Sequence, residues 1–177
     1  VYQDMGVNLL RVWGGGFLEK ECFYRICDEL GLMVWQEFPL SSSGVENYPP
    51  DDRESIDELA KTAESFVLRR RMHPSLIIWC GGNELSSNRE RPPIPVTMDH
   101  PLIARFATIV KALDPDRRFL SSTPSGPSSG ARIENYGKGI HWAVNGPWRA
   151  DGRLTEHWTA YWTQDDALMR SELGVPG

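Results

Sequence analysis

Two apolar stretches of this chain each run directly into a glutamate: Ser75-Leu-Ile-Ile-Trp-Cys-Gly-Gly-Asn-Glu84 and Ala167-Leu-Met-Arg-Ser-Glu-Leu-Gly174. If both are parallel strands of one barrel, Glu84 and Glu172 end at the same rim, where the loops that follow barrel strands gather. A facing pair of carboxyls there can cleave a glycosidic bond. One protonates the departing oxygen, and the other meets the oxocarbenium-like charge at the anomeric carbon. A separation of about 5 Å serves a retaining route and about 6.5–9.5 Å an inverting one. Singly, each glutamate reads as a solvated carboxylate at a strand end; as a pair in these contexts, they are expected to be catalytic.

The surroundings suggest a division of roles. Asn83 is a neutral donor suited to a sugar hydroxyl next to the reacting carbon, while Arg170 lies near Glu172 in sequence. An acid has to hold its proton near neutral pH and a nucleophile has to lose it, so the two environments must differ. Glu84 is expected to be the acid/base and Glu172 the nucleophile. Seven tryptophans supply stacking surface. Trp13, Trp142 and Trp148 fall at or just after predicted strand ends, where an indole can lie on a pyranose. Core packing is the competing use of a large aromatic, and it is the expectation for Trp35 and Trp79. His141, also at a predicted strand end, is a candidate sugar ligand.

Strand and helix signals alternate, the pattern of a parallel α/β protein. Val7 to Trp13 reads as a strand stopped by three glycines. Phe23, Ile26, Cys27 and Leu30 repeat at helical spacing, closed by Gly31. Leu32 to Phe38 is the next strand. A helix from about Asp51 to His73 carries Ile56, Leu59, Ala63, Phe66 and Val67 on one face, and a third strand begins at Leu76. Asp99, with Pro101 just inside, is expected to open a helix bearing Leu102, Ile103, Phe106, Ile109, Val110 and Leu113. Arg118–Ser122, Gly139–Val144 and Ala167–Ser171 read as strands, with a short aromatic helix at Trp158, Tyr161 and Trp162. The six strands are expected to belong to one (β/α)8 TIM barrel, incomplete over residues 1–177, with one strand before Val1 and one after Gly177. Unpaired strand edges would then leave the excised piece with little activity.

Composition excludes other classes. With 19 basic and 24 acidic residues in 177, the net charge is −5, and the longest basic run is Arg69-Arg70-Arg71. A nucleic-acid partner is not expected, since the triplet sits where cations complement the end of a helix. Cys22, Cys27 and Cys80 lack CxxC spacing and read as buried thiols. His73, His100, His141 and His157 form no HExxH, and neither a metal nor a cofactor is expected. No apolar run reaches bilayer length, so no membrane partner is expected. Gly126-Pro-Ser-Ser-Gly130 matches GxSxG, but no helix pattern follows and proline lies inside, so it reads as a loop. Gly14 to Gly16 lack the full GxGxxG pattern and read as a tight turn.

Four segments together carry a resemblance: Asn8-Leu-Leu-Arg-Val-Trp-Gly-Gly-Gly16, Cys27-Asp-Glu-Leu-Gly-Leu-Met-Val-Trp-Gln-Glu-Phe38, His73-Pro-Ser-Leu-Ile-Ile-Trp-Cys-Gly-Gly-Asn-Glu84 and Arg170-Ser-Glu-Leu-Gly174. In order along the chain, they resemble the catalytic barrel of glycoside hydrolase family 2, in its β-mannosidase-like branch. The resemblance implies barrel strands two to seven and a retaining exo-β-glycosidase acting on a carbohydrate. The acid/base would fall on Glu84 after Asn83, and the nucleophile on Glu172. It also implies that Arg11 and Trp13 help shape the sugar pocket and that Glu37 is the acidic position ending strand three. Flanking β-sandwich domains are implied for the whole protein. β-Galactosidase-like or β-glucuronidase-like specificity, or a non-catalytic carbohydrate-binding barrel, are the alternatives. One departure is visible: the family's His-Tyr-Trp at strand six, whose tyrosine is expected to bond the nucleophile, is here His141-Trp142-Ala143. An indole donates one hydrogen bond and has no hydroxyl.

Overall fold

The computed structural model describes residues 1–41, 47–87, 93–130, 132–148 and 153–172. Strand β1 (Leu9–Val12) is followed by helix α1 (Glu21–Leu30), β2 (Met33–Glu37), α2 (Arg53–Arg70), β3 (Leu76–Cys80) and α3 (Pro101–Leu113). Then come β4 (Arg118–Leu120), a 3-10 turn (Ile133–Asn135), β5 (Ala143–Asn145), α4 (Leu154–Gln164) and β6 (Met169–Glu172). Strands β1 to β4 pair in sequence order, all parallel, and β5 pairs β6 in parallel. Isolated bridges Ser125↔Ala143 and Gly130↔Asn145 link the residues after β4 to β5.

Period-two alternation explains the layering along β1 and β2, and the register shift between the Val34–Leu76 and Trp35–Ile78 pairs places both Leu76 and Trp79 of β3 on the helix side. Val12, Val34, Phe38, Leu76 and Trp79 pack with helix residues such as Tyr24, Ala63, Val67, Leu102 and Phe106. Trp35, Ile78, Cys80, Leu120 and Ala143 form a second cluster made of strand residues alone, on the other face of the sheet. Successive side chains of a strand point to opposite faces, so Val34 and Trp35 belong to different cores. Phe38 stacks on Trp79 at 5.4 Å between ring centroids, an arrangement worth about 0.5–1.5 kcal/mol beyond its buried area. At the start of β3, Arg117 donates to the carbonyls of Leu76, Arg71 and His73 and pairs with Asp114. That tie anchors the sheet at the ends away from the loops that follow the strands.

Several boundaries depart from expectation. Helix α3 is capped by His100, whose Nδ1 accepts from the Leu102 amide, because the Asp99 carboxylate is engaged by the Thr97 hydroxyl at 2.8 Å. Asp52 caps α2 by accepting from the Ser55 amide at 2.9 Å, so that helix starts later than Asp51. In α1 the buried residues are Tyr24 and Cys27, whereas Ile26 and Leu30 are exposed. The Tyr24 hydroxyl reaches Gln36 of β2, which turns that face of α1 to the sheet. Cys22 is exposed, not buried; burial pushes the Cys27 and Cys80 thiols up. Strand β5 starts at Ala143 rather than Gly139, since Gly137 and Gly139 adopt positive φ and Trp142 donates to Ser125 across the bridge. Gly126–Gly130 is loop, as expected, and the next described helical element is the 3-10 turn Ile133–Asn135.

Candidate active site

The structure gathers polar side chains from the ends of the parallel strands around one guanidinium. Arg11, on β1, faces the same side as Leu9, toward the strand-only core. Its Nε donates to Glu37 Oε1 at 2.9 Å and its Nη2 to Thr123 Oγ1 at 2.9 Å. Nη2 also reaches Asn83 Oδ1, and Nη1 reaches Glu172 Oε1 and the Ser171 carbonyl. One side chain thus joins the ends of β1, β2 and β6 to the residues following β3 and β4.

Glu37 is fully buried and accepts three further contacts: from Thr123 Oγ1 at 2.7 Å, from the Gly14 amide at 2.7 Å, and an ion pair with Arg11 Nη2 at 2.8 Å. Burial pushes its carboxyl up, while Arg11, Thr123 and Gly14 act against that. Arg11 is raised although burial acts to lower it, because Glu37 and Glu172 favour its charge. Gly14 does more than turn the chain: a Cβ there would lie 2.4 Å from the Leu40 carbonyl oxygen, so only glycine lets this amide approach Glu37.

Asn83 and Glu84 sit on a short segment stitched to both neighbours. The Asn83 amide donates to the Leu40 carbonyl, the Glu84 amide to the Thr123 carbonyl at 2.5 Å, and the Leu85 amide to Ser122 Oγ. A Cβ at Gly82 would meet the Leu40 carbonyl oxygen at 2.6 Å, and φ there is +152°. Glu84 is the one described non-glycine residue at positive φ, 51°; such a conformation persists only where its surroundings enforce it, and it is found preferentially at functional sites. Asn83 gives its Nδ2 to Ser41 Oγ at 3.3 Å and its Oδ1 to Arg11.

The two glutamates are connected through a residue that sequence reasoning passed over. Asn145 is buried, donates from Nδ2 to Glu84 Oε1 at 3.2 Å, and is the register partner of Glu172 across β5 and β6. Ser171 Oγ donates to Asn145 Oδ1 at 2.5 Å. Thr123 was also missed; its signal is its position just past the expected strand Arg118–Ser122. Asn145 lay one residue beyond the expected strand, before a Gly-Pro pair that reads as a turn.

Other expected site residues are placed differently. Arg170 turns away from Glu172 and pairs with Asp165 at 3.3 Å, so Arg11 is the cation at Glu172. His141 and Trp142 precede β5 rather than end it. The ring nitrogens of His141 face Ser128 Oγ, 3.5 Å from Nε2, and Gly126. Trp142 carries the Arg118 guanidinium 3.8 Å over its ring, and that is its described ring contact, not Glu172. Trp13 and Trp148 follow the ends of β1 and β5 and are half exposed, at 50% and 56%. Trp35 and Trp79 are buried in the cores. Among the described residues no group of three or more His, Cys, Asp or Glu side chains could hold a metal ion, and no helix is long and apolar enough to cross a membrane.

Burial lowers the His141 imidazole below its ordinary 6.5, against Asp165 and Asp166, which act to raise it. A depressed folded-state value means that the unfolded chain takes up the proton first as pH falls. The stability contributed by neutral His141 is therefore present above about pH 6.5 and lost as pH falls through the folded value. His141→Gln should flatten the decline in urea midpoint between about pH 7.5 and 5; a decline as steep as that of the parent protein would contradict the sign.

Comparison with known proteins bears on this geometry. Residues 4–126 match the family described as "Glycosyl hydrolases family 2, TIM barrel domain". Beta-mannosidase B of Emericella nidulans is 51% identical over 78 residues, 43% of this chain and 8% of that protein. The beta-mannosidase of Bos taurus is 42% identical over 81 residues, 46% of this chain and 9% of that protein. The chain thus spans less than a tenth of the length of these relatives. A solved beta-D-mannosidase from Dictyoglomus thermophilum superposes with a TM-score of 0.60 at 32% identity, covering 89% of this chain and 18% of that one. A Bacteroides uniformis beta-glucuronidase superposes at 0.62 with 20% identity, covering 95% of this chain and 20% of that one, a likeness of fold.

Proposed function

The chain belongs to glycosyl hydrolases family 2 through its TIM barrel domain, and on that premise we propose that it forms the catalytic face of a retaining exo-β-glycosidase with β-mannosidase-like specificity. The observation that carries this reading is the meeting of Asn83, Glu84 and Glu172 around Arg11 and Asn145, past the ends of parallel strands. The chain is read as strands two to seven of an eight-stranded barrel in a longer enzyme with flanking β-sandwich domains. The carbohydrate is its substrate, and no cofactor takes part. Mannoside is favoured because the relatives quoted at 42–51% identity are named beta-mannosidases.

In this mechanism Glu172 attacks the anomeric carbon while Glu84 protonates the departing oxygen, giving a glycosyl ester on Glu172. Glu84 then takes a proton from water, which cleaves the ester. Arg11 holds Glu172 Oε1 in place, and buried Glu37 holds Arg11. Trp13 and Trp148 offer exposed ring faces to the sugar beside the strand ends.

A panel of nitrophenyl β-mannoside, β-galactoside, β-glucoside and β-glucuronide on the whole enzyme is expected to be cleaved with preference for the mannoside. Glu84→Ala should lose about 10²–10⁴-fold in rate on substrates with poor leaving groups. It should keep fast ester formation from a dinitrophenyl glycoside, and azide should accelerate turnover by replacing the water that lacks its base. Equal loss on all leaving groups with no azide response would sink the assignment of Glu84.

A further inference from the structure

The geometry points to Asn145 as a positioning residue for the acid/base, its amide locked by Ser171 so that the NH2 faces Glu84 Oε1. This deepens the reading of Glu84 given above and rests on it. The amide of an asparagine can point either way, and which way is set by its partners. Here Ser171 Oγ lies 2.5 Å from Asn145 Oδ1, with Val144's carbonyl oxygen at 3.2 Å as its other neighbour. A hydroxyl at 2.5 Å from an amide oxygen supplies the proton between them, and that leaves the two amide hydrogens for the opposite side. One of them meets Glu84 Oε1 at 3.2 Å.

The placement is built rather than incidental. Asn145 is 2% exposed, its Cα pairs in register with Glu172, and its carbonyl end of β5 is bridged to Gly130. The residue thus touches the proposed acid/base with its side chain and neighbours the proposed nucleophile with its backbone. The hydrogen bond from Asn145 Nδ2 fixes the orientation of the Glu84 carboxyl through Oε1. Ser171 becomes part of the same device, because it sits next to Glu172 on β6 and sets the amide that orients Glu84. Asn145 and Ser171 in this way tie the Glu84 carboxyl to β6, the strand that carries Glu172.

The test uses the whole enzyme and the pH dependence of kcat/KM on an aryl β-mannoside, whose alkaline limb reports ionisation of the acid. Asn145→Asp replaces the donor with a group that repels an ionised Glu84, and the alkaline limb should move up by about one pH unit. Asn145→Ala, which only removes the donor, should move it up by less. Ser171→Ala, a small change at a partly buried site, should move it in the same direction and guards against a fold-disrupting effect at Asn145. A purely structural role would scale kcat without displacing the limb. If Glu84→Ala is rescued by azide while all three variants keep the parent's alkaline limb, the role of Asn145 is overturned and that of Glu84 stands. If azide does not rescue Glu84→Ala, both are overturned.

Discussion

Glu172→Gln is expected to lower kcat on an aryl β-mannoside by on the order of 10⁵-fold, the scale seen when an enzyme loses its nucleophile. The carboxamide keeps an oxygen that Arg11 Nη1 can meet, so the cluster around the guanidinium should survive. What it cannot do is form the glycosyl ester, since a neutral amide is a poor nucleophile toward the anomeric carbon. The thermal midpoint of the enzyme should change little, because Glu172 is 27% exposed and its charge is not sealed in the core. Steady-state rates and a melting curve on the same preparation separate loss of chemistry from loss of fold. A variant within tenfold of the parent rate would remove Glu172 from the mechanism.

Arg11→Met should carry the largest structural effect. The guanidinium is 14% exposed and faces Glu37, which is completely buried, at 2.8 Å. Removing one partner of a buried ion pair strands the other charge and costs about 3–5 kcal/mol. Thr123, Asn83 and Glu172 lose a donor at the same time. Arg11→Lys is not a conservative rescue, because an ammonium cannot span acceptors set in the plane of a fork. The double variant Arg11→Met, Glu37→Gln should recover part of the lost stability, since the stranded charge is gone, but none of the activity. Urea midpoints for the two single variants and the double form the cycle that reads this coupling. Additive losses would mean that the pair does not act as a unit.

How much of this was written in the sequence depends on what each feature rests on. Helix α2 and strands β2 and β3 follow from local signals: helical spacing at Ile56, Leu59, Ala63 and Val67, and apolar runs bounded by Gly31, Pro39 and Pro74. Glu84 and Glu172 stand out in the sequence because both terminate such runs. The face of α1 was not. Ile26 and Leu30 have the right spacing, but Tyr24 is drawn to the sheet by a hydrogen bond to Gln36 that no spacing rule contains. Strand β5 was misplaced because apolar Ile140 and Trp142 look like strand while Gly137 and Gly139 set positive φ before them. That displacement credited His141 and Trp142 with a strand end and left Asn145 outside it. Arg170 seemed to be the cation for Glu172 because it is near in sequence; Arg11, on the first strand, is nearer in space. The polar ties among Arg11, Thr123, Asn145 and Ser171 join distant segments, and single-sequence periodicity has no access to them.

The assignment of Glu172 as the residue that becomes esterified is open to direct capture. Incubating the whole enzyme with 2-deoxy-2-fluoro-β-mannosyl fluoride, digesting it, and sequencing the labelled peptide should place the fluorosugar on Glu172 within Met169-Arg-Ser-Glu-Leu. Label on Glu84, on Glu37 or on a carboxylate outside this cluster would contradict it.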